Sequence, residues 1–168
     1  LADFGLSKSG IGLNDSAHSF CGSPEYMSPE MLAESGHGRA VDYYSLGALL
    51  YEMLTGLPPF YDSNKGKMFR SICNDKLKIP NFISKSAKEL LTGLLEKDAS
   101  KRLGANGGFA DIRNTEWCKG VDWTRFLTKD RSPPFLPNLR VSNFDPEYTS
   151  MPIDYSDFQG VMKTSSDE

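Results

Sequence analysis

The stretch Arg39–Thr55, RAVDYYSLGALLYEMLT, carries apolar side chains on nearly every face of a helix, among them Val41, Tyr43, Tyr44, Leu46, Leu49, Leu50, Met53 and Leu54. A helix that is apolar all round has no face to offer to water, so it belongs in the middle of a fold. Gly56 follows as a C-terminal cap, and Pro58-Pro59 forbid continuation. The pattern predicts a central, buried helix as the axis around which the rest packs.

Three further helices are predicted around it. Ser63–Cys73 reads as amphipathic, with Met68, Phe69 and Ile72 on one face. A third is capped by Ser84 or Ser86, and Ser86 with Glu89 has the spacing of a reciprocal capping box; Leu90, Leu91, Leu94 and Leu95 give it a core face. A short fourth starts near Ala110. Residues 1–30 are rich in Gly, Ser and Pro and read as a long ordered loop, a kind of segment that is usually functional. From Lys119 onward Pro133-Pro134, Pro137, Pro146 and Pro152 predict an extended strap. No strand signal stands out, so the expected fold class is mainly α. A length of 168 residues suits one domain with an appendage, and 39% hydrophobic residues suffice for a core.

The formal net charge of −3 argues against a nucleic-acid partner. Residues 1–140 carry +2 and residues 141–168 carry −5, a near-neutral body with an acidic tail. The cations Lys97, Lys101 and Arg102 read as a helix end favouring positive charge. Apolar runs of only a few residues predict no transmembrane segment. With no basic-then-apolar leader, a cytoplasmic location is expected, as is a chain that begins partway through something longer. Cys21, Cys73 and Cys118 lack metal-ligand spacing and are expected to be reduced thiols.

Five signatures carry chemistry. Asp3-Phe4-Gly5 opens the chain, and sixteen residues after Asp3 comes Ser19-Phe20-Cys21-Gly22-Ser23-Pro24-Glu25-Tyr26. Ser28-Pro29-Glu30 follows, then D-Y-Y-S-L-G from Asp42, twelve residues beyond Glu30, then Lys101-Arg102-Leu103-Gly104. In this order and spacing they resemble the protein kinases. F-C-G-S-P-E-Y, P-P-F, K-R-L-G and F-D-P-E-Y-T are similar to the AGC group, in particular the branch of protein kinase B and the serum- and glucocorticoid-regulated kinases.

The resemblance implies a kinase-like C-terminal helical lobe with its activation segment over residues 1–118, and an AGC tail over 119–168. It implies ATP and Mg²⁺ as cofactors and protein substrates with basic residues upstream of Ser or Thr. Asp3 matches the aspartate that holds Mg²⁺, Phe4 packs beside it, and Gly5 frees the backbone; from the residues alone Asp3 also reads as a turn residue. Ser19 matches the activation-loop phosphorylation site, normally Thr, served by an upstream activating kinase; Lys8 matches a contact of that phosphate. The plain alternative for Ser19 is an exposed serine.

Phe20, Pro24 and Met27 match the pocket for the residue after the phosphoacceptor, and Ser23 keeps the hydroxyl of the usual Thr. Glu52 matches a reader of an upstream basic residue, with an internal salt bridge as its alternative. Glu30 is expected to pair with Arg102, and Asp42 to accept amides of a catalytic loop. Ser28 and Tyr44 replace the usual Ala and Trp. Phe144 and Tyr148 match tail aromatics near the adenine pocket. Phe158-Gln159-Gly160-Val161-Met162 is a degenerate match to the terminal hydrophobic motif.

The 168 residues hold no glycine-rich phosphate loop, V-A-I-K lysine, partner helix glutamate or H-R-D loop. The expectation is therefore a truncated kinase, inactive alone, whose N-terminal lobe is a missing partner. The competing class is a non-catalytic kinase-like module that docks substrates or regulators.

Overall fold

The central helix forms where the sequence places it. In a computed structural model, which describes residues 3–12, 15–138 and 143–152, α2 spans Ala40–Thr55 and ends at Gly56, left-handed with φ 89°. The Gly56 amide donates to the Glu52 carbonyl at 2.7 Å, satisfying one of the last-turn acceptors. The chain divides into two units, Leu1–Val121 and Asp122–Glu168.

In the first unit, α1 (Pro29–Leu32) follows a 3₁₀ turn at Pro24–Tyr26. Neither is anticipated above, although both have proline in the first turn, where its missing N–H costs nothing. The remaining helices are α3 (Lys65–Asn74), α4 (Lys85–Leu94) and α5 (Phe109–Arg113). Asn64 caps α3 by accepting from the Lys67 amide at 3.0 Å. Tyr44 and Ala48 of α2, Met68 and Ile72 of α3 and Leu95 after α4 form one buried cluster. Lys97 donates through Nζ to the Ser71 and Ile72 carbonyls and lies 4.2 Å from the Phe60 ring centroid. The helix end that its charge favours is therefore that of α3.

Three expectations are corrected here. First, α2 is not buried all round: Tyr44, Gly47 and Ala48 are interior, but Leu46, Leu49 and Met53 are 43%, 47% and 74% exposed. The described residues pack mainly against one side of the helix, through α4 and the 3₁₀ turn. Second, Ser84 rather than Ser86 caps α4, accepting from the Ala87 amide at 3.3 Å. The Ser86–Glu89 box does not form, because Ser84 is the residue in extended backbone geometry and the helix starts directly after it; Glu89 lies 3.9 Å from Lys85. Third, the strap contains helical turns. In the second unit α6 (Trp123–Leu127) is capped by Asp122 and α7 (Pro146–Thr149) by Asp145. Each aspartate accepts an otherwise free first-turn amide, and Pro146 lies in the first turn of α7, where its missing N–H costs nothing. The Trp123 and Phe126 ring centroids are 6.0 Å apart, with the Arg131 guanidinium 5.4 Å from the Phe126 centroid.

The fold is mainly α. Among the described residues the β pairing is one isolated antiparallel bridge, Ala17 with His37, and no helix is long and apolar enough to cross a membrane. The three cysteines are unpaired. The terminal motif at 158–162 lies outside the described residues.

Tyr44 is 1% exposed and its hydroxyl has no hydrogen-bond partner among the described residues, and burial pushes its pKa up. The Arg102 guanidinium carbon lies 5.0 Å from the ring centroid, a contact that phenylalanine retains. Tyr44→Phe is therefore expected to stabilise the chain by about 1 kcal/mol, since an unsatisfied buried hydroxyl is removed without loss of packing. A raised urea midpoint with an unchanged slope checks this.

Candidate functional site

Asp3 has φ 64°, in the left-handed region that aspartate tolerates better than most residues. Its Oδ1 accepts the Gly5 amide at 3.3 Å, and the Ser7 amide and hydroxyl donate to the Phe4 carbonyl at 3.0 and 2.7 Å. The D-F-G sequence is thus an exposed, hydrogen-bonded turn. Phe4, expected to pack, is 64% exposed instead. No described element covers it. Among the described residues no group of three His, Cys, Asp or Glu gathers that could hold a metal alone. A lone carboxylate suits Mg²⁺ only in its usual mode with nucleotides, where phosphates and water complete the octahedron. Asp3 fits that mode.

The Ala17–His37 bridge fastens the irregular segment to the loop before α2, through bonds of 2.8 and 2.9 Å. Ser19 and Lys8 are both exposed and line the same cavity. Farther along, Phe20 is 51% exposed and Ser23 is exposed in extended geometry, its side chain making no cap bond. Pro24 opens the 3₁₀ turn and is half-buried, whereas Met27 is buried in the core at 4% exposure. The structure thus leaves Phe20 and Ser23 at the surface and takes Met27 inside.

Glu52 is half-buried on α2 and accepts a hydrogen bond from the Tyr26 hydroxyl. That bond, helped by burial, pushes the Tyr26 pKa up. Ser45 donates to the Tyr26 carbonyl at 3.0 Å, so the turn is tied to α2 at two points. Among the described residues no cation reaches Glu52 as an ion pair. The internal salt bridge weighed for it is absent there. Tyr26 was not singled out in the sequence, because a contact across 26 residues leaves no local spacing signal.

Glu30 and Arg102 are brought together. Arg102 is 2% exposed and donates from Nη1 to Glu30 Oε1 at 2.6 Å and from Nη2 to Oε2 at 2.9 Å. Its other bonds go to the carbonyls of Ala40 at 2.9 Å, Glu96 at 2.8 Å and Lys97 at 3.4 Å. One guanidinium therefore joins α1, the start of α2 and the loop after α4. Burial pushes the Glu30 carboxyl up, but the Arg102 hydrogen bonds and charge outweigh it and hold the carboxyl below its ordinary range. Asp42 is exposed in the first turn of α2. In the second unit Phe144 and Tyr148 are 67% and 72% exposed, Tyr148 within α7.

A family model described as the protein kinase domain matches residues 1–118. The chain belongs to the protein kinase family. It is similar to the serine/threonine-protein kinase gad8 of Schizosaccharomyces pombe, 46% identical over 159 residues, which cover 92% of this chain and 28% of that protein. Protein kinase 2 of Dictyostelium discoideum is 48% identical over 153 residues, covering 89% of this chain and 32% of that one. The serine/threonine-protein kinase Sgk1 of Oryctolagus cuniculus is 45% identical over 157 residues, covering 91% and 36%. This kinase-family chain thus spans about a third of the length of the curated relatives it matches.

Proposed function

We propose that these residues are the helical lobe, activation segment and AGC-type tail of a serine/threonine protein kinase, divided at 1–118 and 119–168. The complete enzyme transfers the ATP γ-phosphate to Ser or Thr of protein substrates in basic sequence context. The observation that carries the reading is the buried Glu30–Arg102 pair inside the family-matched span, which ties the activation segment to the helical floor. Serine/threonine kinases of the gad8 and Sgk1 type among the relatives support the substrate class.

Phosphoryl transfer gives a protein little covalent work, so positioning and charge dominate. Asp3 would hold Mg²⁺, which when bound neutralises charge on the nucleotide phosphates. Ser19 accepts the activating phosphate from an upstream kinase, beside Lys8. Phe20, Ser23 and Pro24 present the surface for the residue after the phosphoacceptor, with Met27 supporting it from inside. Glu52 receives one hydrogen bond from Tyr26, and a carboxylate has room for several more, which leaves it free to accept from an arginine. Phe144 and Tyr148 serve the nucleotide side of the tail. Asp42 steadies the catalytic loop of the complete enzyme.

The test is phosphotransfer. The full-length protein is expected to label a serine peptide from γ-labelled ATP, and Asp3→Ala to lower that rate on the order of 10²-fold or more, as loss of a charge-stabilising group does. The isolated chain 1–168 is expected to give no turnover above its own Asp3→Ala control. A full-length protein that binds substrate but labels nothing favours the docking-module reading instead.

A further inference from the structure

Asn-Gly occurs once in the sequence, at Asn106-Gly107, in the turn that leads from K-R-L-G into α5. Both residues are exposed. The fold accounts for the glycine: a side chain at 107 would collide with the Asp111 carboxylate, whose Oδ2 accepts the Gly107 amide at 3.0 Å. It accounts for the asparagine as well. Asn106 donates from Nδ2 to the Ser100 carbonyl at 3.1 Å, and the Gly108 amide donates to the Gly104 carbonyl at 3.0 Å. One side-chain bond and one main-chain bond thus close the turn, which is reason enough for the pair. Its chemistry goes further. The Gly107 nitrogen follows the Asn106 side chain directly, and its own residue has no side chain to block approach. Its N–H is held by a side-chain carboxylate, whereas amides inside a helix are locked by main-chain carbonyls.

We infer that Asn106-Gly107 is a site of spontaneous self-modification, at which the Gly107 nitrogen attacks the Asn106 side-chain amide, yields aspartate and isoaspartate, and opens the K-R-L-G turn. The new bond joins Gly107 N to Asn106 Cγ. The Cγ–Nδ2 bond breaks, and ammonia leaves with the Gly107 amide proton. Water then opens the cyclic imide at either carbonyl. Opening at Cγ gives aspartate; opening at the main-chain carbonyl gives isoaspartate, whose chain runs through Cβ and Cγ and is longer by one carbon. Water is the only co-reactant, and neither ATP nor a metal takes part. Both products carry a carboxylate, which accepts hydrogen bonds but donates none, so the bond to Ser100 is lost. Isoaspartate also adds its carbon inside the span from Gly104 to Gly108 that the main-chain bond closes. Asp111 is the restraint on the reaction, because the Gly107 amide must leave its carboxylate before the nitrogen can attack.

The experiment holds the full-length protein at neutral pH and physiological temperature. Peptide mass spectrometry follows the mass gain of an amide turned acid, and an isoaspartyl methyltransferase labels the isoaspartate. Conversion is expected at Asn106 well ahead of Asn81 and Asn114, which are also exposed but precede Phe and Thr. Asn106→Gln, which could close only a larger ring, should show none at this position. Asp111→Ala should speed the reaction roughly two- to tenfold, the factor to which one net hydrogen bond amounts. Hydrogen exchange reads the opening: amides of residues 103–108 should exchange faster in the modified protein, with those of α2 unchanged. Conversion at Asn106 no faster than at Asn81 and Asn114 overturns the inference, and so does a rate that Asp111→Ala leaves unchanged or lowers. Unaltered exchange at residues 103–108 in the modified protein overturns the opening of the turn. No step uses phosphotransfer, so these outcomes are independent of the kinase reading.

Discussion

Arg102→Ala is expected to cost about 3–5 kcal/mol, because it leaves a buried carboxylate without its partner. The Glu30 side chain is 11% exposed, and the Ala40 and Glu96 carbonyls lose the Arg102 donor at the same time. Domains have only about 5–15 kcal/mol in all, so this variant should unfold at a much lower denaturant concentration. Removing both charges with Glu30→Gln and Arg102→Met is expected to recover much of the loss, since the penalty comes from the unpaired ion.

The pH dependence distinguishes this account from simple loss of packing. In the wild type the Glu30 pKa is depressed on folding. The pair's contribution is therefore fully present above the unfolded carboxyl value of about 4.3 and fades as pH falls through the lower folded value. In Arg102→Ala burial, the largest influence on Glu30, is opposed only by the lesser hydrogen bonds from the Glu30 backbone and Ser28, so the folded pKa rises and acidification relieves the buried charge. The stability gap between the two proteins should narrow toward low pH. A gap that stays constant from neutral to acid pH contradicts the assignment.

Gly104→Ala is the second large effect, at about 3 kcal/mol, from two additive causes. Gly104 has φ 92°, where an L-residue costs roughly 1–2 kcal/mol. A Cβ there would also lie 2.7 to 2.9 Å from three ring atoms of Tyr43, and such overpacking typically costs about 1–3 kcal/mol. Gly56 supplies the control: its φ is 89° and nothing lies within 4 Å of its Cβ position. Gly56→Ala should show the backbone cost alone, and Tyr43→Ala should bring Gly104→Ala down to that level. Equal losses at the two glycines in denaturant unfolding would remove the Tyr43 contact from the account. Together the two substitutions explain K-R-L-G physically: Arg102 fastens three segments, and Gly104 turns the chain under Tyr43.

Some of this was legible in the sequence and some was not, for definite reasons. The extent of α2 follows from its apolar run and from Gly56, both local. Its burial does not, because an apolar face needs a neighbour, and Leu46, Leu49 and Met53 have none among the described residues that hides them. Glu30 and Arg102 were linked through motif order, yet the Ala40 carbonyl as a third partner depends on where α2 starts in space. Ser84 and Ser86 offer the same hydroxyl, and only the backbone angles decide which one caps. The Tyr26–Glu52 bond and the cavity shared by Ser19 and Arg39 join residues 26 and 20 positions apart, through the 3₁₀ turn and the bridge that periodicity does not reveal.

On the proposed function, the complete enzyme reads basic substrates through Glu52 and transfers phosphate to Ser or Thr. This function is tested most directly by following labelled phosphate from ATP into two serine peptides, with and without an upstream arginine, using full-length wild type and Glu52→Gln. Gln keeps an acceptor for the Tyr26 hydroxyl, so the turn at Pro24–Tyr26 should persist. The expected result is labelling of the arginine peptide by the wild type, and a loss in Glu52→Gln on the order of 10- to 150-fold for that peptide alone, the equivalent of about 1.5–3 kcal/mol for a charge-assisted contact. Equal losses on both peptides, or no labelling by the wild type, would contradict that function.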